Sequence, residues 1–366
     1  MSKIGYDAKR YFHNRSGLGN YSRDLVRIMQ QHYPAHDYYL YSPKGPKGEF
    51  PKGLHTRLPN KGLINRLLPS YWRSKGIVQD LVNDGIQVYH GLSGEIPVGL
   101  TKTKIKSVVS IHDLIFLRLP DLYKATDRAI YNKKFKYACQ HADQVVAISE
   151  QTKADIVEFY GIAPDRIEVI YQGCHPAFKQ KASIASLTAL RQHYQLPENF
   201  ILNVGSIEAR KNAFQLVKAV EQLDIPLVII GKETAYAQDM KAYIAAKKLE
   251  NRILFPKVSS MEELAGIYQL ADIFAYPSSY EGFGIPIIEA LYSGTPVITS
   301  RDGVFPEAAG PASRFIDPND VSEIRQAIQE ILDSSEQQAL MRQQGLAYAQ
   351  RFNDEVLAQQ WMDIYL

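Results

Sequence analysis

Two glutamates eight residues apart, Glu281 and Glu289, lie in the stretch Ala275–Thr299, AYPSSYEGFGIPIIEALYSGTPVIT. A carboxylate accepts two hydrogen bonds from neighbouring hydroxyls, so a pair around an anion site suits a ribose and a second sugar. The anion site itself is written between them. Gly282 and Gly284 let backbone approach a ligand closely, and Pro286 stands where the first helical residue belongs. The unpaired N–H groups of that helix start, at the positive end of its dipole, suit a phosphate or diphosphate. Gly282, Phe283, Gly284 and Ile285 are therefore the residues expected against the phosphates, Glu289 against the ribose hydroxyls, and Glu281 against the sugar near its reacting carbon. The spacing reads as a nucleotide-sugar site.

A second set of charges supports this. After the apolar run ILNVG comes SIEARKN, with Arg210 and Lys211 at the head of the next helix. Two cations at the top of a strand would neutralise the two phosphates of a sugar nucleotide. No convincing D-x-D pair and no His/Cys cluster with ligand spacing is found, so no metal or other cofactor is expected. Arg210, Lys211 and the helix start would stabilise the leaving diphosphate electrostatically.

The elements that position these groups read as strands alternating with helices. IQVYH, SVVSIHDL, QVVAIS, IEVIYQG, NFILNVGS, LVIIGK and PVITS are short, nearly continuous apolar runs, as in parallel strands covered on both faces. Such alternation predicts a doubly wound α/β architecture. His112 and Asp113 end one strand at its carboxyl edge, where open α/β sheets bind ligands. His90 ends another as a weaker candidate. Ser149 ends VVAIS and serves equally as an acceptor contact or as the cap of the following helix. Gly17 and Gly19, in HNRSGLGNYS, could turn backbone amides towards a ligand. They do not make a dinucleotide fingerprint, because the strand ends about ten residues earlier than that motif requires.

The segment YEGFGIPIIEALYSGTPVI resembles the donor motif of the GT-B glycosyltransferases of family 4, the mannosyltransferase-like group with an E-x7-E pair. The resemblance is strongest over 199–318, good over 107–175, and thin over 31–90. It implies two Rossmann-like doubly wound parallel-sheet domains facing across a cleft, an acceptor domain at 1–178, a donor domain at 179–350, and a last helix at 351–366 packing back on the first domain. It implies a retaining hexosyl transfer, with mannose from GDP-mannose the first expectation and UDP-sugars next. The acceptor would be a glycan or lipid-linked saccharide of cell-surface polysaccharide synthesis. By the same resemblance, His112 lies beside the transferred sugar, Gly17 and Gly19 line the cleft, Lys211 touches the diphosphate, and closure of the domains assembles the site. The chain departs from the family at Ser206, where an arginine often follows the strand's glycine; either Arg210 substitutes or this subgroup manages with fewer charges. Other readings are a GT-B sugar phosphorylase, a nucleotide-sugar epimerase, or a non-catalytic sugar-nucleotide binder. A retaining glycosidase is disfavoured, since it has no use for an anion site beside its carboxylates.

Composition agrees with a two-domain globular protein: 366 residues, 45% hydrophobic and 22% charged. Cys139 and Cys174 form no disulfide framework. No run approaches the ~18 apolar residues of a bilayer span, and the start leads straight into a strand, so a cytoplasmic location is expected, with peripheral contact at the inner face of the membrane. The net charge of +3 conceals an asymmetry: residues 1–180 hold 26 Lys/Arg against 16 Asp/Glu, and the remainder 16 against 23. From Phe50 to Gln79 basic residues alternate with Leu63, Ile64, Leu67, Leu68, Tyr71 and Trp72, a mixture suited to a membrane surface or to two helices packing apolar faces on the sheet with solvated basic faces. No nucleic-acid recognition signature accompanies the basic half.

Overall fold

The computed structural model describes residues 1–14, 17–46, 52–59 and 69–366. The chain divides into two compact units, one comprising Met1–Gly173 with Asn353–Leu366 and the other Cys174–Phe352. The division falls at Gly173/Cys174 rather than at 178, because Phe178 is fully buried in the second unit with its ring edge-on to Tyr268 at 5.5 Å.

The first unit is built on seven strands: β1 (Lys3–Asp7), β2 (Asp37–Tyr41), β3 (His55–Arg57), β4 (Val88–Gly91), β5 (Lys106–Ile111), β6 (Gln144–Ala147) and β7 (Ile167–Val169). Their order is β3-β2-β1-β4-β5-β6-β7, with all neighbours parallel. The second unit has six: β8 (Ile201–Val204), β9 (Leu227–Ile230), β10 (Ile253–Leu254), β11 (Ile273–Tyr276), β12 (Val297–Ser300) and β13 (Arg314–Ile316), ordered β10-β9-β8-β11-β12-β13 and again parallel. The continuous apolar runs are explained by burial on both faces. In each sheet the winding reverses once, between β1 and β4 and between β8 and β11. These switch points open a crevice at the strands' carboxyl ends.

The final helix, Asp354–Tyr365, belongs to the first unit. Leu357, Ala358, Trp361, Met362 and Tyr365 are buried there among Tyr6, Val26, Met29 and Val88. Tyr365 Oη lies 2.8 Å from His90 Nδ1, and His90 Nε2 lies 2.7 Å from Ser110 Oγ. His90 is thus a fully buried core histidine and no ligand contact. Burial holds it neutral, with a pKa of about 3.

Two expectations bear on the first unit. Gly17 and Gly19 lie in the first turn of the helix Gly17–His32. A Cβ on Gly19 would stand 1.9 Å from the Asn14 carbonyl oxygen, so the glycine admits a neighbouring backbone there. In the basic stretch, residues 60–68, with Lys61, Leu63, Ile64, Arg66, Leu67 and Leu68, lie outside the described residues. Of the rest, Trp72 and Arg73 are buried in the protein, while Lys52, Tyr71 and Lys75 are exposed. Among the described residues no helix is long and apolar enough to cross a membrane.

Candidate active site

The switch point of the second sheet gathers most of the charged residues expected there. β8 ends at Val204, and the loop through Gly205 and Ser206 leads to a short 3-10 turn, Ala209–Lys211. β11 ends at Tyr276, and its loop carries Ser278 and Glu281. The two loops are tied by backbone: the Ser279 N–H donates to the Arg210 carbonyl at 2.8 Å, and the Arg210 guanidinium donates to the Tyr280 carbonyl. Between them sits the Glu281 carboxylate. It accepts from Lys211 Nζ at 2.9 Å, Arg210 Nη1 at 2.8 Å, Tyr276 Oη at 2.9 Å and Ser278 Oγ at 2.9 Å. Burial alone would raise the Glu281 pKa. Lys211 and Arg210 outweigh it and hold the group at about 2. At neutral pH Glu281 is an anion fixed against two cations. Arg210 is also paired with Glu208 at 2.8 Å.

Ser206 is half-buried on the loop, with no cationic side chain of its own; Arg210 reaches the cluster from four residues further on. Tight glycine contacts hold this loop. A Cβ on Gly231 would lie 1.8 Å from the Gly205 carbonyl oxygen, and one on Gly205 would press on the Lys211 side chain at 3.1 Å. Gly231→Ala is expected to cost about 1–3 kcal/mol by forcing the β8 loop aside. Donor affinity should fall with it, read as a lower Tm together with a smaller ligand-induced shift.

Gly282 and Gly284 are buried, and Gly284 caps the helix Ile285–Tyr292 with φ of 129°, a conformation open to glycine and strained for other residues. Ile285 takes the first helical position and Pro286 the second, one place later than expected; its missing N–H still falls among the unpaired first four. The Phe283 ring is buried, edge-on to Phe352 at 5.7 Å. Its side chain is therefore core, and only its backbone belongs to the turn. Glu289 lies one turn in, buried, with Tyr268 Oη donating to it at 3.0 Å. Burial raises its pKa to about 7, opposed only by that hydrogen bond. The two glutamates are thus pushed apart in acidity by their surroundings.

Glu289 carries a pH signature. Its folded pKa of about 7 lies above its ordinary value of 4.5. Between those values the folded state holds a proton that the unfolded state has lost, so stability falls as pH rises through the window. Glu289→Gln should remove a slope of at most about 1.4 kcal/mol per pH unit, visible as the difference between wild-type and variant denaturation free energies at pH 5 and pH 7.

In the first unit the expected residues gather at the ends of β5 and β6. His112 follows β5, buried to 8% exposure. Its Nε2 is 2.8 Å from the Leu92 carbonyl and its Nδ1 2.9 Å from Gln172 Nε2. The Leu92 oxygen can only accept, so Nε2 carries the proton and Nδ1 accepts from Gln172. The Tyr21 ring meets the imidazole edge-on at 4.5 Å. Burial, then repulsion from Arg10, lowers its pKa to about 4. A neutral imidazole with both nitrogens engaged is a fixed wall and not a proton-transfer group. The Asp113 carboxylate accepts from the Ile115 N–H at 3.1 Å, bracing the helix Ile115–Arg118. Ser149 is fully buried and caps the helix Glu150–Tyr160, accepting from the Thr152 N–H at 3.0 Å. Of its two sequence roles the cap is the one observed, and a buried hydroxyl is not an acceptor surface.

Residues missed in the sequence are Tyr276, Ser278, Tyr268, Glu208 and Gln172. Tyr276 had a signal: it ends β11 at the switch point. Gln172 had none, since its partner is 60 positions away.

Two parallel α/β units, the second with a cation and carboxylate cluster at its switch point, define a GT-B glycosyltransferase. The family described as "Glycosyltransferase Family 4" matches residues 15–178, and "Glycosyl transferases group 1" matches 189–347. The chain belongs to glycosyltransferase family 4. It is 27% identical over 285 residues to the O-antigen chain mannosyltransferase B of Escherichia coli, covering 76% of this chain and 74% of that one. Against the serotype-specific mannosyltransferase WbdA of E. coli it is 27% identical over 73% of its own length but spans only 34% of that longer relative. Among solved structures, sucrose-phosphate synthase from Thermosynechococcus elongatus superposes with a TM-score of 0.82 at 21% identity, covering 100% of this chain and 98% of that one. Anabaena Alr3699/HepE, in complex with UDP and glucose, gives 0.77 at 19%, covering 99% and 98%.

Proposed function

We propose that this chain is a retaining, metal-independent hexosyltransferase that moves mannose from GDP-mannose to a saccharide or lipid-linked saccharide in cell-surface polysaccharide synthesis. The observation that carries the proposal is the cluster of Arg210, Lys211, Tyr276 and Glu281 at the β8/β11 switch point, with Glu281 on the loop that leads into the helix capped by Gly284 and carrying Glu289. Arg210 and Lys211 take the charge that develops on the leaving diphosphate, in place of a metal. Glu281, ionised by those cations, orients hydroxyls of the transferred sugar. Glu289 accepts from the ribose hydroxyls. In the first unit, His112 is a neutral imidazole held by Leu92 and Gln172. The mannosyl choice rests on the relatives named for mannose transfer; the nucleotide sugar is supported by structural neighbours holding UDP and UDP-glucose.

A panel of GDP- and UDP-sugars read by thermal shift tests the donor, since a ligand that binds the folded state raises its apparent stability. GDP-mannose should give the largest shift. A UDP-sugar exceeding it would replace the proposed donor, and no shift with any nucleotide sugar would remove the reading altogether. Because Glu289 must be ionised to accept two hydroxyl bonds, the shift should grow as pH rises through about 7, and Glu289→Gln should flatten that dependence.

A further inference from the structure

All four groups that hold the Glu281 carboxylate meet the same oxygen. Lys211 Nζ, Tyr276 Oη and Ser278 Oγ each lie 2.9 Å from Oε1, and Arg210 Nη1 lies 2.8 Å from it. Oε2 has no hydrogen-bond partner among the described residues, and the side chain keeps 13% of its surface open. A carboxylate oxygen offers two lone-pair directions. Oε1 is therefore crowded with donors, while Oε2 is left for a ligand.

Two of the four donors are cations and two are neutral hydroxyls. A diphosphate competes for the cations, because phosphate oxygens make strong charge-assisted bonds with both. It has no such hold on the hydroxyls. Lys211 can only donate and ionised Glu281 can only accept. Tyr276 Oη, 2.7 Å from Lys211 Nζ, therefore accepts from the ammonium and turns its own proton to Glu281. The Ser278 proton goes the same way, since the carbonyls of Arg210 and Tyr280 lie further off, at 3.3 and 3.4 Å. Strand β12 fixes both residues through their backbone. Thr299 Oγ1 donates to the Tyr276 carbonyl at 2.9 Å, and Ser300 Oγ donates to the Ser278 carbonyl at 2.5 Å. The buried Tyr276 ring is stacked on Phe274 at 5.8 Å and edge-on to Phe305 at 6.4 Å. Neither hydroxyl is free to follow the cations to a phosphate.

We propose that Tyr276 and Ser278 are positioning residues for hexosyl transfer. They keep Glu281 anchored by Oε1 when the diphosphate engages Lys211 and Arg210, and so leave Oε2 aimed at a hydroxyl of the transferred sugar. The inference rests on the donor reading above and adds to it the pair that orients the sugar contact. Without these hydroxyls the loaded site would hold a buried carboxylate short of partners. Burial pushes the Glu281 pKa up and its partners hold it down, so such a carboxylate would swing after the cations or take up a proton.

Tyr276→Phe keeps the ring and removes one hydroxyl; Ser278→Ala removes the other. GDP and GDP-mannose, titrated separately into the full chain by calorimetry, read the two halves of the site. Each variant should bind GDP within about twofold of wild type. The ratio of the two affinities should shift against GDP-mannose by about tenfold, the scale of a hydrogen bond to a charged group. Transfer, as kcat/KM, should fall by at least the same factor. Residues that only brace the loops would weaken GDP and GDP-mannose equally, together with a lower Tm. That result, or an unchanged ratio in both variants, would overturn the proposal. Ser278→Ala, the smaller change, decides alone if Tyr276→Phe does not fold. If the thermal-shift panel selects a UDP-sugar, UDP and that sugar replace the pair. A wild-type chain that binds no nucleotide sugar would remove the transferase reading and this inference with it. Wild-type binding and transfer, with the ratio kept in both variants, would remove this inference alone.

Discussion

Lys211→Ala should lower kcat for glycosyl transfer by about 10²–10³-fold, the scale on which preorganised charge at a developing anion acts. The ammonium is held by two residues, Glu281 and Tyr276. It meets Glu281 at 2.9 Å and Tyr276 Oη at 2.7 Å, and it lies 5.1 Å from the Tyr276 ring centre. Little reorganisation is left for the moment of bond breaking. Removing it leaves Arg210, which is shared with Glu208 and the Tyr280 carbonyl. Lys211→Arg is not a conservative rescue, because a planar fork cannot meet these partners in the same geometry. Steady-state kinetics with the donor found in the thermal-shift panel would show the effect in kcat, with a smaller change in KM. A variant within threefold of wild type would show that the diphosphate leaves elsewhere.

Glu281→Gln should have an effect of similar size on transfer, with an opposite sign on nucleotide binding. Glu281 neutralises the two cations that the diphosphate needs. With its charge removed, the field at the switch point becomes more positive, and GDP or UDP without a sugar should bind at least as tightly as to wild type. Transfer should drop by ~10²-fold or more, since the group that orients the sugar is gone. The free variant should also be destabilised, because stripping one partner from a buried ion pair costs about 3–5 kcal/mol. Nucleoside diphosphate would offset part of that loss, so its thermal shift should exceed that of wild type. If GDP and UDP binding vanished together with transfer, Glu281 would be a scaffold for the loops and not a sugar contact.

Much of this arrangement is legible in the sequence. Continuous apolar runs such as VVSI and LVII predicted two-sided burial, and their alternation with helical segments predicted parallel sheets. Glu281, Glu289, Arg210 and Lys211 were found by type and spacing, because each lies within a few residues of a strand end and the switch-point rule says what strand ends do. What stayed hidden were the pairings. That Glu281 would occupy the two cations depends on two loops 70 residues apart. That His112 would have both nitrogens taken depends on Leu92 and Gln172. The Asn14 carbonyl against Gly19 has no local signal, because a glycine that admits a ligand and one that admits a carbonyl are identical in sequence. Arg73, counted among surface charges, has its partner Asp7 66 positions away, and no local pattern announces such a bond.

The docking of helix Asp354–Tyr365 against β1 and β4 has a bearing on how the chain is made. The first unit is interrupted in sequence by the whole of the second, and its core lacks Trp361 and Tyr365 until they emerge from the ribosome. Until then Tyr6, Val26 and Met29 lack a cover, and His90 lacks the hydroxyl that satisfies Nδ1. The second unit, continuous from Cys174 to Phe352, has all its parts sooner. Synthesis therefore favours an order in which the later-encoded half matures first, and the earlier-encoded half is sealed last.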